Sequence, residues 1–115
     1  RKLKEYVAAH PEIVGLKKDE QGCMEYTLLS GDRLDVFFKD SNVAVEIKSE
    51  ISSDADVLRG LFQCVKYKSI LDAEAQVHGQ KQNARAILLL GKSLSVSNRQ
   101  VQTDLGIEVI EKIKM

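Results

Sequence analysis

The sequence predicts an α/β fold built on a mixed sheet, in the order helix, three strands, long helix, strand, then a short helix and a final strand. Three observations predict it. Residues 31–38 and 43–48 alternate side chains with period two, the mark of strands. From Ser53 towards Gln80 apolar residues recur at helical spacing, over a stretch too long for a strand. Asn83 to Leu90 is then a short apolar run, and a strand reached through a helical crossover runs parallel to its predecessor.

Arg1 to His10 reads as an amphipathic helix with Leu3, Tyr6 and Val7 inward, ended near Pro11 because the residue before proline disfavours helical geometry. Glu5 lies on that helix and is expected on its solvated face. Lys17 to Gly22 is a polar turn, Cys23 to Leu29 the first strand, and Ser30-Gly31-Asp32 the turn into the second. In the second strand Leu34, Val36 and Phe38 fall on one face and Arg33, Asp35 and Phe37 on the other. In the third, Val43, Val45 and Ile47 oppose Ala44, Glu46 and Lys48. Ser53 followed by Asp56 has the form of a capping box, with Asp in place of Glu. Leu58, Leu61, Phe62 and Val65 of the helix that follows are expected to pack on the sheet. Ser97 to Leu105 reads as a short helix and Ile107 to Ile110 as the last strand. No repeat, low-complexity tract or linker interrupts the chain.

With 115 residues and 43% hydrophobic content, one domain spanning residues 1–115 is expected. The chain opens on Arg1 and not on Met, which fits a piece of a larger protein. Its longest apolar run, Ala86 to Leu90, is far below the ~20 residues that span a bilayer, and no signal segment opens the chain, so no membrane partner is expected. Cys23, Cys64, His10 and His78 have no zinc-site spacing; both thiols read as small buried hydrophobes in a reducing, cytoplasmic compartment. Seventeen basic and 17 acidic residues cancel, so any nucleic-acid surface must come from how charge is distributed, not from its sum.

The chemistry concentrates in Asp35, Glu46 and Lys48. Glu46 and Lys48 share one face of one strand, and the turn at Asp40, Ser41 and Asn42 decides whether Asp35 joins them. A loop of Asp40-Ser41 sets Asp35 opposite Glu46, a loop of Ser41-Asn42 sets it opposite Lys48, and a three-residue loop without a bulge separates them. Like charges opposed across a sheet are destabilising unless a cation sits between them. Oxygen ligands of this kind suit Mg2+ or Mn2+.

An acid on one strand, Glu-x-Lys on the next, a helix before and a long helix after: this order resembles the PD-(D/E)XK, or restriction-endonuclease-like, nuclease superfamily. Gln63-Cys64-Val65-Lys66-Tyr67 matches the Gln-x-x-x-Tyr signature of its lambda-exonuclease and RecB-type members. The resemblance covers residues 1 to about 90 in element order and rests on five side chains; the family's Pro before the acid is Leu34 here. It implies a restriction-endonuclease-like core and a Mg2+- or Mn2+-dependent deoxyribonuclease. Asp35, Glu46 and the Ile47 carbonyl would hold the metal, and Lys48 would orient the attacking water or neutralise the phosphate. Gln63 and Tyr67 would contact the water, phosphate or backbone. Arg59 and Lys66, on the same helix face, would bind nucleic acid, with a further domain or a homodimer partner supplying the rest of the surface. The alternative is a nuclease-like fold kept as a non-catalytic binding or assembly module of a larger DNA-processing protein. Gly91-Lys92-Ser93 is no phosphate loop, because Ala86 stands where that motif needs its first glycine, so no nucleotide cofactor is expected.

Overall fold

The computed structural model describes residues 2–114. Helix α1 (Lys2–Ala9) leads through a 3-10 turn (Pro11–Val14) to strands β1 (Cys23–Thr27), β2 (Arg33–Phe38) and β3 (Val43–Lys48). Helix α2 (Asp54–Val77), strand β4 (Arg85–Leu90), helix α3 (Val96–Leu105) and strand β5 (Glu108–Ile110) follow. The five strands form one mixed sheet in the order β1-β2-β3-β4-β5, antiparallel from β1 to β3 and parallel from β3 to β5. This is the α/β mixed-sheet fold that the hydrophobic periodicity predicts. No helix among the described residues is long and apolar enough to cross a membrane.

The sheet separates two apolar layers. On one face Val57, Leu61, Cys64 and Leu71 of α2 pack on Leu34, Phe37, Ala44, Ala86, Leu88 and Leu90, with α3 alongside through Val101 and Leu105. On the other, Val7 and Ala8 of α1 pack on Val36, Phe38, Val43, Val45, Ile87 and Leu89. An eight-residue helix is marginal by itself in water, so α1 is held by this burial; Val7 alone, wholly inaccessible, contributes roughly 1.5–3 kcal/mol.

The caps agree with their residues. The Ser53 hydroxyl accepts from the Asp56 backbone N–H at 3.1 Å, whereas the Asp56 carboxylate pairs with Arg59 instead of closing the box. Ser95 caps α3 in the same way. The β2–β3 turn closes with the Asn42 N–H on the Lys39 carbonyl at 3.2 Å, and Asn42 takes φ 57°, which asparagine tolerates better than most residues. Phe38 therefore pairs with Val43, Phe37 with Ala44 and Val36 with Val45, the register of an Asp40-Ser41 loop.

Four sequence expectations change. Leu34 lies in the α2-side layer and not with Val36 and Phe38, because the alternation breaks at Asp35. Phe62 is 53% exposed, since the buried stripe of α2 runs through Val57, Leu61 and Cys64 and position 62 lies beyond it. Cys23 is exposed on the edge strand β1, while Cys64 is buried as expected. Strand β1 ends at Thr27, and Leu29 stands 88% exposed in the turn beyond it.

Candidate metal centre

Strands β2 and β3 pair as far as Val36 and Val45, and their main chains then part. At the parting, Asp35 replaces the ladder: its Oδ2 accepts the Ile47 backbone N–H at 2.8 Å. Continuing the register sets Asp35 opposite Glu46, so the open end of the hairpin carries two acids. The third member, Lys48, reaches Glu46 with Nζ 3.7 Å from Oε2. Asp35, Glu46 and Lys48 are thus brought together.

Burial controls the electrostatics here. Glu46 is only 6% exposed, and loss of water together with the adjacent Asp35 charge pushes its carboxyl up to about 8, against the opposing pull of Lys48. The field of the acids extends into α2. The Cys64 thiol and the Tyr67 hydroxyl are both pushed up, first by their own burial and then by Glu46 and Asp35. A buried carboxyl that holds its proton near neutral pH, next to a second carboxylate, is a donor set short of positive charge. Two carboxylates are of the hard oxygen type that a divalent ion takes, and no group of three or more His, Cys, Asp or Glu side chains that could hold an ion occurs among the described residues, so main-chain oxygen or water would have to complete any coordination here.

Helix α2 lies directly over the lysine. A Cβ built on Gly60 would stand 3.3 Å from Lys48 Cε and 2.9 Å from Leu88 Cδ1, so the glycine gives the Lys48 stem its passage under the helix. A mid-helix glycine costs about 0.5–1 kcal/mol against alanine, and this close approach is the local reason to keep one.

The remaining expected site residues divide by location. Gln63 Oε1 is buried without a hydrogen-bond partner among the described residues. Tyr67 is buried, and its hydroxyl donates to the Arg33 carbonyl at 3.2 Å, tying α2 to the start of β2. Lys66 pairs with Asp32 at 2.8 Å and holds that carboxyl below its ordinary range, while Arg59 pairs with Asp56. Both cations lie on the outer side of α2.

Two residues at the site escaped the sequence reading. Lys4 of α1 sets its Nζ 3.0 Å from Asp35 Oδ1 and 3.8 Å from Glu25 Oε1. Glu25 lies between the Met24–Val36 and Tyr26–Leu34 pairs, hence opposite Asp35, and takes a left-handed φ of 52°. No local pattern could show either, since the contact spans α1, β1 and β2. Compared with protein-family models, with curated proteins and with solved structures, the chain matches none.

Proposed function

We propose that this protein is a Mg2+- or Mn2+-dependent deoxyribonuclease that hydrolyses phosphodiester bonds, in the manner of the PD-(D/E)XK enzymes it resembles. One observation carries the reading: Asp35 and Glu46 converge with Lys48 where β2 and β3 part, and Glu46 is buried with too little positive charge around it. Asp35 and Glu46 would hold the ion, with the Ile47 carbonyl as a further oxygen on the same strand. When bound, the ion supplies Lewis acidity that stabilises the negative charge building on the phosphoryl oxygens.

The chain's own residues do the rest. Lys48 is tethered by its contact with Glu46 and by the overlying α2, so its ammonium would add fixed positive charge beside the reacting phosphate. Gln63 Oε1, a buried acceptor without a hydrogen-bond partner among the described residues, would orient an attacking water. Tyr67 positions α2, and through it Gln63, by its bond to Arg33. Arg59 and Lys66 would meet the phosphate backbone by exchanging Asp56 and Asp32 for phosphates.

The same pairing favours a second reading, a non-catalytic binding or assembly module, because both outer cations are neutralised by the chain's own acids. The test is incubation of labelled duplex and single-stranded DNA with Mg2+ or Mn2+. The nuclease reading expects cleavage that requires the ion and that disappears in Lys48→Ala while the melting temperature stays within a few degrees. If DNA binds but is never cut with either ion, the module reading replaces it.

A further inference from the structure

A cavity lies towards the far end of α2, away from the metal centre. Its volume of about 410 Å³ is within the ~300–1,000 Å³ of small-molecule sites, and none of Asp35, Glu46, Lys48, Gln63 and Tyr67 lines it. One wall is aromatic, with the Tyr26 and Phe37 rings 4.9 Å apart beside the apolar Leu28, Leu71 and Ala75. Glu74 also lines it, and its Oε2 is buried without a hydrogen-bond partner among the described residues, although the amides of Asn42, Gln80 and Asn83 line the same cavity. A buried carboxylate oxygen is costly until a donor reaches it. Lys39, with Nζ 5.5 Å from the centre of the Tyr26 ring, and Lys81 complete the lining, and neither forms an ion pair among the described residues. Asp40 stands beside them, so selectivity comes from where each charge sits and not from their sum. Gln63 and Glu74 fall on one line of α2, about three turns or roughly 16 Å apart, and both carry a buried acceptor without a partner. That line faces β1 and β2: Tyr67, between the two, bonds the Arg33 carbonyl, and Glu74 shares the cavity with Tyr26 and Phe37.

We propose that this cavity holds one unpaired guanine of a DNA strand whose backbone continues along α2 to the metal centre. The inference rests on the reading of that centre as a DNA site, and it names the form of the DNA as single-stranded. Guanine supplies the donors that the cavity lacks. Its N1–H and N2–H lie side by side and match the two oxygens of a carboxylate, whereas adenine and cytosine set a ring acceptor beside their amino group and turn it against the second oxygen. The flat base covers the apolar side chains beside the aromatic wall, as bases do in single-strand sites, and Lys39 and Lys81 meet the phosphates as point charges. In a duplex that edge of guanine is paired with cytosine, so only an unpaired strand presents it to Glu74.

The experiment follows the fluorescence anisotropy of labelled all-thymine DNA octamers, and of octamers with one central guanine or adenine, as the full chain is added in EDTA so that no ion-dependent cleavage intervenes. Circular dichroism confirms the fold of each variant. The guanine octamer should bind about tenfold tighter than the other two, and annealing it to its complement should remove that advantage. Glu74→Gln should abolish the guanine preference and leave the affinity for the all-thymine octamer unchanged; Glu74→Ala serves in its place should the first variant fail to fold. A native protein without the preference, a preference that survives the Glu74 substitution, or one that annealing does not remove overturns this inference alone, whatever cleavage the ion supports. Free dGMP that competes as well as the unlabelled guanine octamer replaces the strand by a mononucleotide and overturns the proposal as stated. Absence of binding to every octamer overturns it together with the DNA reading of the metal centre.

Discussion

Glu46 is an acid that folding forces to keep its proton. Its carboxyl is raised from an ordinary 4.5 to about 8 by burial and by Asp35, so between those values the folded state binds a proton that the unfolded state has released. Its contribution to stability is therefore full below about pH 4.5 and is lost as pH rises towards 8, a change on the order of a few kcal/mol. The metal-free protein is expected to melt at progressively lower temperature from pH 5 to pH 8, and Glu46→Gln to flatten that slope and melt higher at pH 8. A slope unchanged in Glu46→Gln would remove the burial argument. Glu25 gives a second residue-scale prediction. Glycine adopts its left-handed backbone without cost, and Glu25→Gly and Glu25→Ala lose the same side-chain interactions, so Glu25→Gly should be the more stable of the two variants by about 1 kcal/mol. Thermal melts of the two variants decide it.

The elements were legible wherever a period ran through them. Strands β2 and β3, the Ser53 start of α2 and the apolar run of β4 each follow from side-chain geometry, and the structure has all of these elements, although the alternation within β2 breaks at Asp35. The register was not legible, because two-residue loops at Asp40-Ser41 and at Ser41-Asn42 are equally compatible with the sequence; the left-handed Asn42 and the Phe38–Val43 pair settle it. Leu34 and Phe62 defeat simple periodicity for physical reasons: the strands part at Asp35, and the stripe of α2 is narrower than its apolar content. Gly60 belongs to this scale too. Gly60→Ala gains helix propensity of about 1 kcal/mol but drives a methyl into Lys48 and Leu88, so its stability should change little while the lysine is moved. DNA cleavage reduced at least tenfold with an unchanged melting temperature is the expected outcome; full activity would show that Lys48 needs no fixed path. Tyr67→Phe should cost about 0.5–1.5 kcal/mol in denaturant unfolding, because it removes a part-buried hydrogen bond to the Arg33 carbonyl.

At the scale of the molecule, the sheet is a rigid plate whose parallel centre, with Ile87, Leu88, Leu89 and Leu90 all wholly buried, supports a distorted antiparallel edge. The distortion is local to Asp35, Glu25 and Glu46, and elements from both faces converge on it: α2 through Gly60 and Tyr67, α1 through Lys4. That convergence explains what the sequence could show of the site. Asp35, Glu46 and Lys48 lie within a single hairpin: the shared face of Glu46 and Lys48 was readable from the strand pattern, the place of Asp35 waited on the register of the turn, and Lys4 and Glu25 depend on how α1 and β1 dock. The central claim is that this charge-poor carboxylate pair takes up a divalent ion, and proton release tests it most directly. Glu46 carries a proton below about pH 8, so Mn2+ added to the protein at pH 7 in weak buffer should release close to one proton per ion bound, and Glu46→Gln should release none. Binding without proton release in the native protein, or equal release from Glu46→Gln, would contradict the account.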